Sequence, residues 1–502
     1  MKILSIILLL AVLISAVTSC SKAVEDSGSP LNNGAVTDSE DNTETEEVDE
    51  RHLIREDIPA DSDFGGYSFR ILTRDADHHL KEVQADTETG ETINDAVYHR
   101  NRAIEEKLNI NIEIIVTPEA TETELTTFFN TAVMANEDAF DLALPHMVHA
   151  GTSATQGIMY DWHSIPYIDF TKPWWNGVVV DELTVNNKLF LAMSDYCISS
   201  IDYTWVMLYN YQMGADYNVP NIYDLVKSGN WTIDEFTKYM KAVSIDIDGS
   251  GVYDYNDIYG FTTHNNSAVL NWMFALDKKV TEMNSEGYPN LILNDEKMVS
   301  IVNKMFNILH TDNNTLIIDA AVQNAFNVDL HDKAVAAKFE RNETLFAAIR
   351  IYYIDLLRNM ESEFGIIPFP KYDSNQPAYY THVDGHAPLM SIPKTITNPE
   401  RTGIIVEALS AETYREVVPE VMSIVLESKY ARDEASYEML ELILDGRVYT
   451  FGYIYDGWKG MQWSLVNMMN QKSTDFASYY AANETAALAQ YDTIIESYYL
   501  ID

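Results

Sequence analysis

The chain has 502 residues, with 33 Lys and Arg against 77 Asp and Glu, so its formal net charge is −44. So acidic a surface repels nucleic-acid phosphates, and two cysteines are too few for a disulfide framework or a thiolate zinc site. With 46% hydrophobic residues, most of the chain can fold, and its length predicts two to four compact units at about 150 residues each. These properties exclude nucleic-acid binding and disulfide scaffolds, but they do not define a function.

The first twenty residues predict export. Lys2 precedes an uncharged apolar run at 3–17, which has the length of a secretory signal and is short for a membrane span. Val17-Thr18-Ser19-Cys20 resembles the lipobox of bacterial lipoproteins. That resemblance implies a signal peptide at 1–19, cleavage before Cys20, and acyl chains such as palmitate that hold the protein on the outer side of the cytoplasmic membrane. The alternatives are an ordinary signal peptide with a chance cysteine, or an uncleaved anchor.

The next segment predicts a disordered tether. Residues 21–63 carry 14 acidic and 3 basic side chains and almost no aromatic ones. Such a segment buries too little apolar area to fold, because chain entropy opposes ordering. We therefore expect a solvated tether at 20–63 and a folded body from Phe64 onward.

Within the body, apolar spacing predicts alternating strands and helices, which is typical of an α/β fold with a mainly parallel sheet. The expected strands are 67–72, 110–116, 139–144, 188–192, 203–209, 257–261, 364–368 and 388–393. The expected helices are 92–108, 121–136, one beginning after Thr232, 298–310, 343–358, 400–412, 415–430, 433–444 and 475–498. Ligands of such sheets bind beyond the carboxyl ends of the strands.

Several landmarks occur in an order that is similar to a known family. They are the lipobox, the acidic tether, Pro173-Trp174-Trp175-Asn176, Tyr209-Asn210, Trp231-Thr232-Ile233-Asp234-Glu235-Phe236, Asp257-Ile258-Tyr259-Gly260-Phe261, Leu345-Phe346 and Ser391-Ile392-Pro393-Lys394. This order resembles the extracellular solute-binding proteins of ABC importers, in their carbohydrate-binding branch (family 1), over about residues 64–500.

The resemblance implies a two-lobe periplasmic-binding-protein-like fold of type II. Its parallel-rich sheets are flanked by helices, and a ligand cleft lies between the lobes. Lobe one would hold 64–203 plus 370–414, and lobe two 204–369 plus 415–502. The family supplies no catalytic residues. It implies a monomer that delivers its ligand to the transmembrane subunits of an ABC permease.

One loop matches a calcium-binding pattern. Read as a 12-residue EF-type loop from 246 to 257, it places Gly251 at the sharp turn. Its oxygen donors are the side chains of Asp246, Asp248, Ser250, Asp254 and Asp257 and the carbonyl of Val252. This spacing predicts a structural Ca²⁺ site, although Asp257 replaces the usual bidentate glutamate. The alternative is a polar Asp/Gly turn without metal.

A sugar site needs flat aromatic rings beside carboxylates, amides and imidazoles, because sugars present apolar ring faces and hydroxyl edges. Loop-borne aromatics and polar side chains near strand ends are therefore the candidates, and we expect one of the two adjacent tryptophans to be exposed. The candidates are His146, Trp174, Trp175, Asp195, His264, Asn265, Arg350, Tyr352, His382, Asp384 and Trp458. For each of them the alternative is a surface loop or an internal ion pair.

Catalysis has weaker support in the sequence. His382, Asp384 and His386 could bind a metal, but no further carboxylate or thiol at ligand spacing completes the site. No GxSxG elbow, P-loop or Rossmann glycine triplet is present. We expect an exported, non-enzymatic lipoprotein that captures an oligosaccharide for an ABC importer. The alternatives are the same fold with a peptide or another metabolite, and a secreted glycoside hydrolase.

Overall fold

Two separate β-sheets organise the body of the protein. The computed structural model describes residues 49–118, 121–427, 434–456 and 460–501. The predicted signal peptide, Cys20 and Trp458 lie outside the described residues. The strands are β1 (Tyr67–Arg74), β2 (Ile110–Thr117), β3 (Leu142–Ala143), β4 (Trp205–Asn210), β5 (Tyr259–His264), β6 (Thr281–Met283), β7 (Pro289–Leu291), β8 (Thr315–Ile318), β9 (Thr344–Arg350), β10 (Phe364–Ile367), β11 (Thr381–His382) and β12 (Arg447–Val448).

Helices surround these strands and connect them. They are α1 (Asp77–Val83), α2 (Thr92–Leu108), α3 (Glu124–Met134), α4 (Met147–Ala154), α5 (Gly177–Leu183), α6 (Ser199–Asp202), α7 (Tyr211–Asp216), α8 (Ile222–Lys227), α9 (Ile233–Lys241), α10 (Ser267–Ala275), α11 (Glu296–His310), α12 (Ala320–Ala325), α13 (His331–Glu340), α14 (Pro399–Glu412), α15 (Val418–Glu427), α16 (Glu434–Asp445), α17 (Phe451–Asp456), α18 (Ser464–Asn470) and α19 (Phe476–Leu500). Short 3₁₀ turns occur at Glu50–Leu53, Trp162–Ser164, Ile351–Leu357 and Met461–Trp463. A π turn at Thr413–Val417 joins α14 to α15.

The first sheet is parallel, with strand order β2-β1-β3. Its register pairs Tyr67 with Ile110 and Ile71 with Leu142. Helix α2 connects β1 to β2. It begins where the Glu91 carboxylate accepts the Asn94 amide, and it ends at Asn109 with a left-handed φ of 49°. The predicted bounds of this helix are confirmed.

The second sheet is mixed, with strand order β10-β4-β9-β5-β8. Strands β9, β5 and β8 are parallel, whereas β4 runs antiparallel to both of its neighbours. The strands of the first sheet lie within 64–203 and those of the second within 204–369, although the bounds of the two lobes stay a prediction. The segment 388–393, expected as a strand, forms only isolated bridges, among them Ala143 with Ser391 and Ala192 with Met390.

The predicted helix at 343–358 is wrong. Residues Thr344–Arg350 form β9, all seven of them buried between β4 and β5, and a 3₁₀ turn follows. A strand that is buried on both faces has a continuous apolar sequence, which periodicity cannot distinguish from a buried helix. The other differences are smaller: 139–144 contributes only Leu142–Ala143, and 188–192 is not a strand.

The predicted tether extends too far. Residues 50–63 pack against the body through ion pairs, which their acidic composition alone does not predict. Glu56, with a side chain only 3% exposed, pairs with Lys107 and lies 2.9 Å from the Arg415 guanidinium. Asp57 lies 3.0 Å from the Lys172 ammonium. Among the helices in the described part of the chain, none is long and apolar enough to cross a membrane.

Candidate functional site

Polar side chains gather where strands of both sheets end. Arg74 closes β1, and His146 follows β3 after two residues. His264 closes β5 and Arg350 closes β9. All four are buried, with at most 9% of each residue exposed. The carboxyl ends of parallel strands are where α/β sheets bind ligands, so this region is the candidate site.

One half of the site is the histidine cluster, formed by Glu122, His146, His149 and His386. The Glu122 carboxylate lies 3.2 Å from His386 Nε2, 3.4 Å from His149 Nε2 and 4.0 Å from His146 Nε2. The other ring nitrogen of His386, Nδ1, lies 2.6 Å from the Asp384 carboxylate. The cluster therefore surrounds one carboxylate with three imidazoles.

The charges in the cluster follow from these contacts. Burial opposes a charged ring at His386, yet the hydrogen bonds to Asp384 and Glu122 raise its pKa to about 9. Hydrogen bonds from His149 and His386 hold the pKa of Glu122 far below its usual range. Burial, aided by the nearby cations, lowers the pKa of His146 well below its usual range. At neutral pH His386 is therefore a cation between two carboxylates, and His146 is neutral.

The other half of the site centres on Arg350. Its guanidinium lies 2.8 Å from the Asp332 carboxylate and 3.6 Å from that of Asp384. His264 Nε2 approaches Asp332 to 4.0 Å. Burial raises the pKa of Asp332 and that of Asp384, but the Arg350 cation, together with neighbouring histidines and hydrogen bonds, holds both pKa values below their usual range. Arg350 thus joins residues from the two predicted lobes.

Aromatic rings surround these charges. Tyr203 stacks on His386 with ring centroids 5.5 Å apart and planes at 21°. The Arg350 guanidinium lies 5.0 Å from the centre of the Tyr353 ring and 5.7 Å from that of Trp205. Such contacts combine flat apolar faces with charged edges, the combination that a sugar site requires.

A cavity of about 760 Å³ opens beside this aromatic group. Tyr352 and Tyr353 line it, together with apolar side chains that include Leu356. Lys81 and Asp202 also line the cavity. The Lys81 ammonium lies 2.7 Å from the Asp202 carboxylate and 5.7 Å from the centre of the Tyr352 ring. The volume falls within the range of small-molecule sites.

The structure brings together four of the predicted residues: His146, His264, Arg350 and Asp384. Tyr352 lines the adjoining cavity and is 38% exposed.

Two other predicted residues lie beside this group. His382 is fully buried and stacks on Phe274, with ring centroids 5.0 Å apart. Asn265 is half-buried, and its carbonyl accepts a hydrogen bond from Asn470. For His382 and Asn265, a ligand contact stays a prediction.

The predicted exposure of a tryptophan at 174–175 is wrong. Trp174 is 0% exposed and Trp175 is 5% exposed. Both indole N–H groups donate to the carboxylate of Glu407, at 3.0 and 2.9 Å. Asp195 lies beside them, with its amide bonded to the Trp174 carbonyl, and burial raises the pKa of its carboxyl to about 7. These three residues form part of the protein core and not of the strand-end group.

Sequence reasoning missed Glu122, His149, Asp332 and Tyr203. Glu122 follows β2 as His146 follows β3, so the strand-end rule could have found it. His149 lies one helical turn beyond His146. No local signal in the sequence marks Asp332. It lies in the first turn of helix α13, where a carboxylate is usually exposed, but it is only 3% exposed and Arg350 lies against it.

The predicted calcium loop places three carboxylates close together. Ligand atoms of Asp246, Asp248 and Asp257 lie within 4.8 Å of one another. Asp246 accepts the Gly251 amide at 2.7 Å, and Asp257 is held by two backbone amides at 2.9 and 2.7 Å.

The three remaining predicted ligands of this loop make other contacts. The Ser250 hydroxyl donates to the Val252 carbonyl at 3.1 Å, and the Asp254 carboxylate accepts the Asn256 amide at 2.7 Å. The carboxylates of Asp246, Asp248 and Asp257 are thus the predicted ligands that lie close together.

The fold is similar to those of several solved proteins. The ABC substrate-binding protein Lmo0181 from Listeria monocytogenes, in complex with cycloalternan, is 12% identical, with a TM-score of 0.52 over 86% of this chain and 99% of that one. A cyclo/maltodextrin-binding protein complexed with maltotetraose is 15% identical, with a TM-score of 0.53 over 86% and 96%. UspC of M. tuberculosis is 11% identical, with a TM-score of 0.54 over 84% and 100%.

These likenesses confirm the predicted fold: the protein has the two-lobe α/β architecture of the periplasmic-binding-protein type. The sequence itself matches no family model and no curated protein. At 11–15% identity the likeness shows the fold and not the function.

Proposed function

We propose that this protein is the substrate-binding component of an ABC importer and captures a carbohydrate between its two lobes. The observation that carries the proposal is the match of nearly the whole folded body to binding proteins whose solved complexes hold cycloalternan and maltotetraose. The protein would act by binding without turnover and would hand its ligand to the permease.

The strand-end site supports this role. Arg350, Asp332 and Asp384 offer charged hydrogen-bonding edges, and Tyr352 and Tyr353 offer ring faces at a cavity large enough for a sugar unit. The groups come from both predicted lobes, which closure over a ligand requires.

Thermal unfolding across a panel of oligosaccharides, peptides and other metabolites tests the proposal. A ligand at about 100 times its dissociation constant adds about 2.7 kcal/mol to the free energy of unfolding, which raises the melting temperature measurably. We expect a shift from one class of oligosaccharide, with the sugar recovered intact. A shift from peptides alone would indicate the peptide-binding alternative, and release of sugar products would indicate a hydrolase.

A pair of tyrosine variants locates the binding site. Tyr352→Ala removes a half-exposed ring from the cavity, and Tyr437→Ala removes a ring of similar exposure, 37%, that does not line it. We expect Tyr352→Ala to weaken sugar affinity by about tenfold, because ring stacking is worth on the order of 1 kcal/mol. Equal affinities in the two variants would place the sugar elsewhere.

We also propose that lipid on Cys20 anchors the exported protein to the outer face of the cytoplasmic membrane. The support is the lipobox in the sequence, since Cys20 lies outside the described residues. The Cys20→Ser variant should appear in the soluble extracellular or periplasmic fraction, with no incorporated palmitate. Retention of this variant in the membrane fraction would contradict a lipid anchor at Cys20.

A structural Ca²⁺ ion at the 246–257 loop is the remaining proposal. Its support is the convergence of the Asp246, Asp248 and Asp257 carboxylates. We expect added Ca²⁺ to raise the melting temperature of the metal-stripped wild type and of metal-stripped Asp492→Asn, an exposed site with the same change of charge, but not that of Asp246→Asn. If added Ca²⁺ left the melting temperature of the wild type unchanged, the calcium assignment would be wrong.

A further inference from the structure

The histidine cluster has the composition of a metal site. Ligand atoms of Glu122, His146 and His386 lie within 4.8 Å of one another, and His149 Nε2 approaches the same carboxylate to 3.4 Å. From the sequence, His386 was a possible metal ligand together with His382 and Asp384. The fold instead brings His386 to a carboxylate and two imidazoles from other segments.

A separate observation points to a missing partner. His146 is 1% exposed, its Nε2 atom has no hydrogen-bond partner, and that atom faces the Glu122 carboxylate at 4.0 Å. An unsatisfied buried polar group costs about 1–3 kcal/mol. A cation at the centre of the cluster would give this nitrogen the partner that the protein does not supply.

We propose that the histidine cluster binds one divalent first-row transition metal ion, with Zn²⁺ as the best fit. Glu122, His146 and His386 are the ligands, water completes a four-coordinate set, and His149 lies beside them, 3.4 Å from the Glu122 carboxylate. Imidazole nitrogen with one carboxylate suits Zn²⁺ and its neighbours, whereas Ca²⁺ and Mg²⁺ require oxygen ligands. All four residues belong to the segments predicted for lobe one, so the site does not depend on ligand closure.

Neighbouring groups prepare the ligands and also set the cost of binding. The Asp384 carboxylate holds His386 Nδ1 at 2.6 Å, which directs Nε2 toward Glu122. Glu122 and His386 have side chains 37% and 31% exposed, so an ion can enter from solvent. Three features oppose binding. His386 must release the Nε2 proton that Glu122 accepts, and the Arg74 guanidinium, which donates to the His386 carbonyl, lies nearby. A metal on His146 Nε2 would also move the ring proton to Nδ1 and break the 3.3 Å hydrogen bond that Nδ1 accepts from the Val148 amide.

The test is metal titration of the mature chain, purified without a histidine tag and stripped with chelator. Zn²⁺ is titrated by calorimetry with excess Ca²⁺ present to occupy the 246–257 loop, and Co²⁺ serves as a spectroscopic probe. We expect one Zn²⁺ per chain and, with Co²⁺, the strong visible band of a four-coordinate site. Affinity should fall by at least about tenfold in Glu122→Gln and in His386→Gln.

The matched controls are Glu88→Gln and His99→Gln, which alter an exposed Glu–His pair at 2.9 Å. Both should bind Zn²⁺ as the wild type does. Equal affinity in all four variants, or the absence of a visible Co²⁺ band in the wild type, would overturn the proposal. If one of the two histidine-cluster variants fails to fold, the other variant and the Co²⁺ spectrum of the wild type still test the proposal.

Discussion

At the scale of single residues, Arg350 is a cation that two buried carboxylates share. Asp332 is 3% exposed and Asp384 is 4% exposed, and each lies within 3.6 Å of the guanidinium. Asp384 also pairs with His386 at 2.6 Å, whereas Arg350 is the close cationic partner of Asp332. Breaking a buried pair by removal of one partner is far more costly than loss of a surface pair, because the remaining charge stays out of water.

Removal of that cation gives the first prediction. Arg350→Met should lower the free energy of unfolding by about 3–5 kcal/mol, since it removes the cation beside the buried Asp332 carboxylate and leaves Asp384 with His386 alone. The matched control is Arg358→Met, which breaks an exposed pair with Asp355 and should change stability by less than about 0.5 kcal/mol. Urea unfolding of both variants measures the difference. Similar losses in the free energy of unfolding would show that the buried ion pairs of Arg350 contribute no more to stability than an exposed pair.

At the scale of elements, β5 and α9 approach each other so closely that only glycine fits between them. A Cβ atom built on Gly260 of β5 would lie 1.9 Å from the Met240 carbonyl of α9. Phe236 of the same helix packs edge-on against Phe261 of the strand, with centroids 5.1 Å apart. The close contact positions β5, and therefore His264 at its end, relative to the helix layer.

We expect Gly260→Ala to lower the free energy of unfolding by about 2–3 kcal/mol, because the strand or the helix must move to accommodate the methyl group. Gly177→Ala is the control: its Cβ meets nothing within 4 Å at the start of α5, and alanine there should be neutral or stabilising by up to about 1 kcal/mol. Thermal unfolding compares the stability of the two variants. An unchanged melting temperature in Gly260→Ala would contradict the close packing of β5 and α9.

At the scale of the whole molecule, the pH dependence of stability comes from buried carboxyls and buried histidines. Burial raises the pKa of Glu82, Asp195 and Glu407 to about 7. These carboxyls favour the folded state when protonated, so their contribution is present below their usual pKa and is lost as the pH rises toward 7. Burial lowers the pKa of several histidines instead, so their contribution is lost as the pH falls below about 6.5; they include His146, His264 and His382.

The melting temperature should therefore be highest near pH 6, between the loss from the histidines at lower pH and the loss from the carboxyls at higher pH. At pH 8 the net charge of −44 adds self-repulsion. Relative to the wild type, Glu407→Gln should gain roughly 1–3 kcal/mol of stability between pH 5 and pH 8, since its side chain no longer ionises in a buried position. Calorimetry of both proteins across this range checks the prediction. A Glu407→Gln profile parallel to that of the wild type would contradict it.

Local signals in the sequence were sufficient for the class of fold and for many elements. The apolar spacing and C-terminal Asn109 of α2, the cap Thr232 of α9, and the alternation of β1 each depend on neighbouring residues, so they can be read along the chain. The rule that ligands meet strand ends also selected His146, and the cost of an unpaired arginine in an apolar segment selected Arg350. The structure brings both to one site.

Tertiary structure alone decided which polar groups meet and which aromatic rings are buried. One of Trp174 and Trp175 was expected at the surface because they adjoin Asn176 in a loop, but both donate to Glu407, more than 230 positions away. Strand β9 resembles a buried helix in sequence because all seven of its residues are buried in the middle of the sheet, between β4 and β5. Glu122 and His386 likewise join segments far apart in the chain. The physical reason is the same in each case: burial and pairing depend on long-range contacts, which leave no periodic signal in the local sequence.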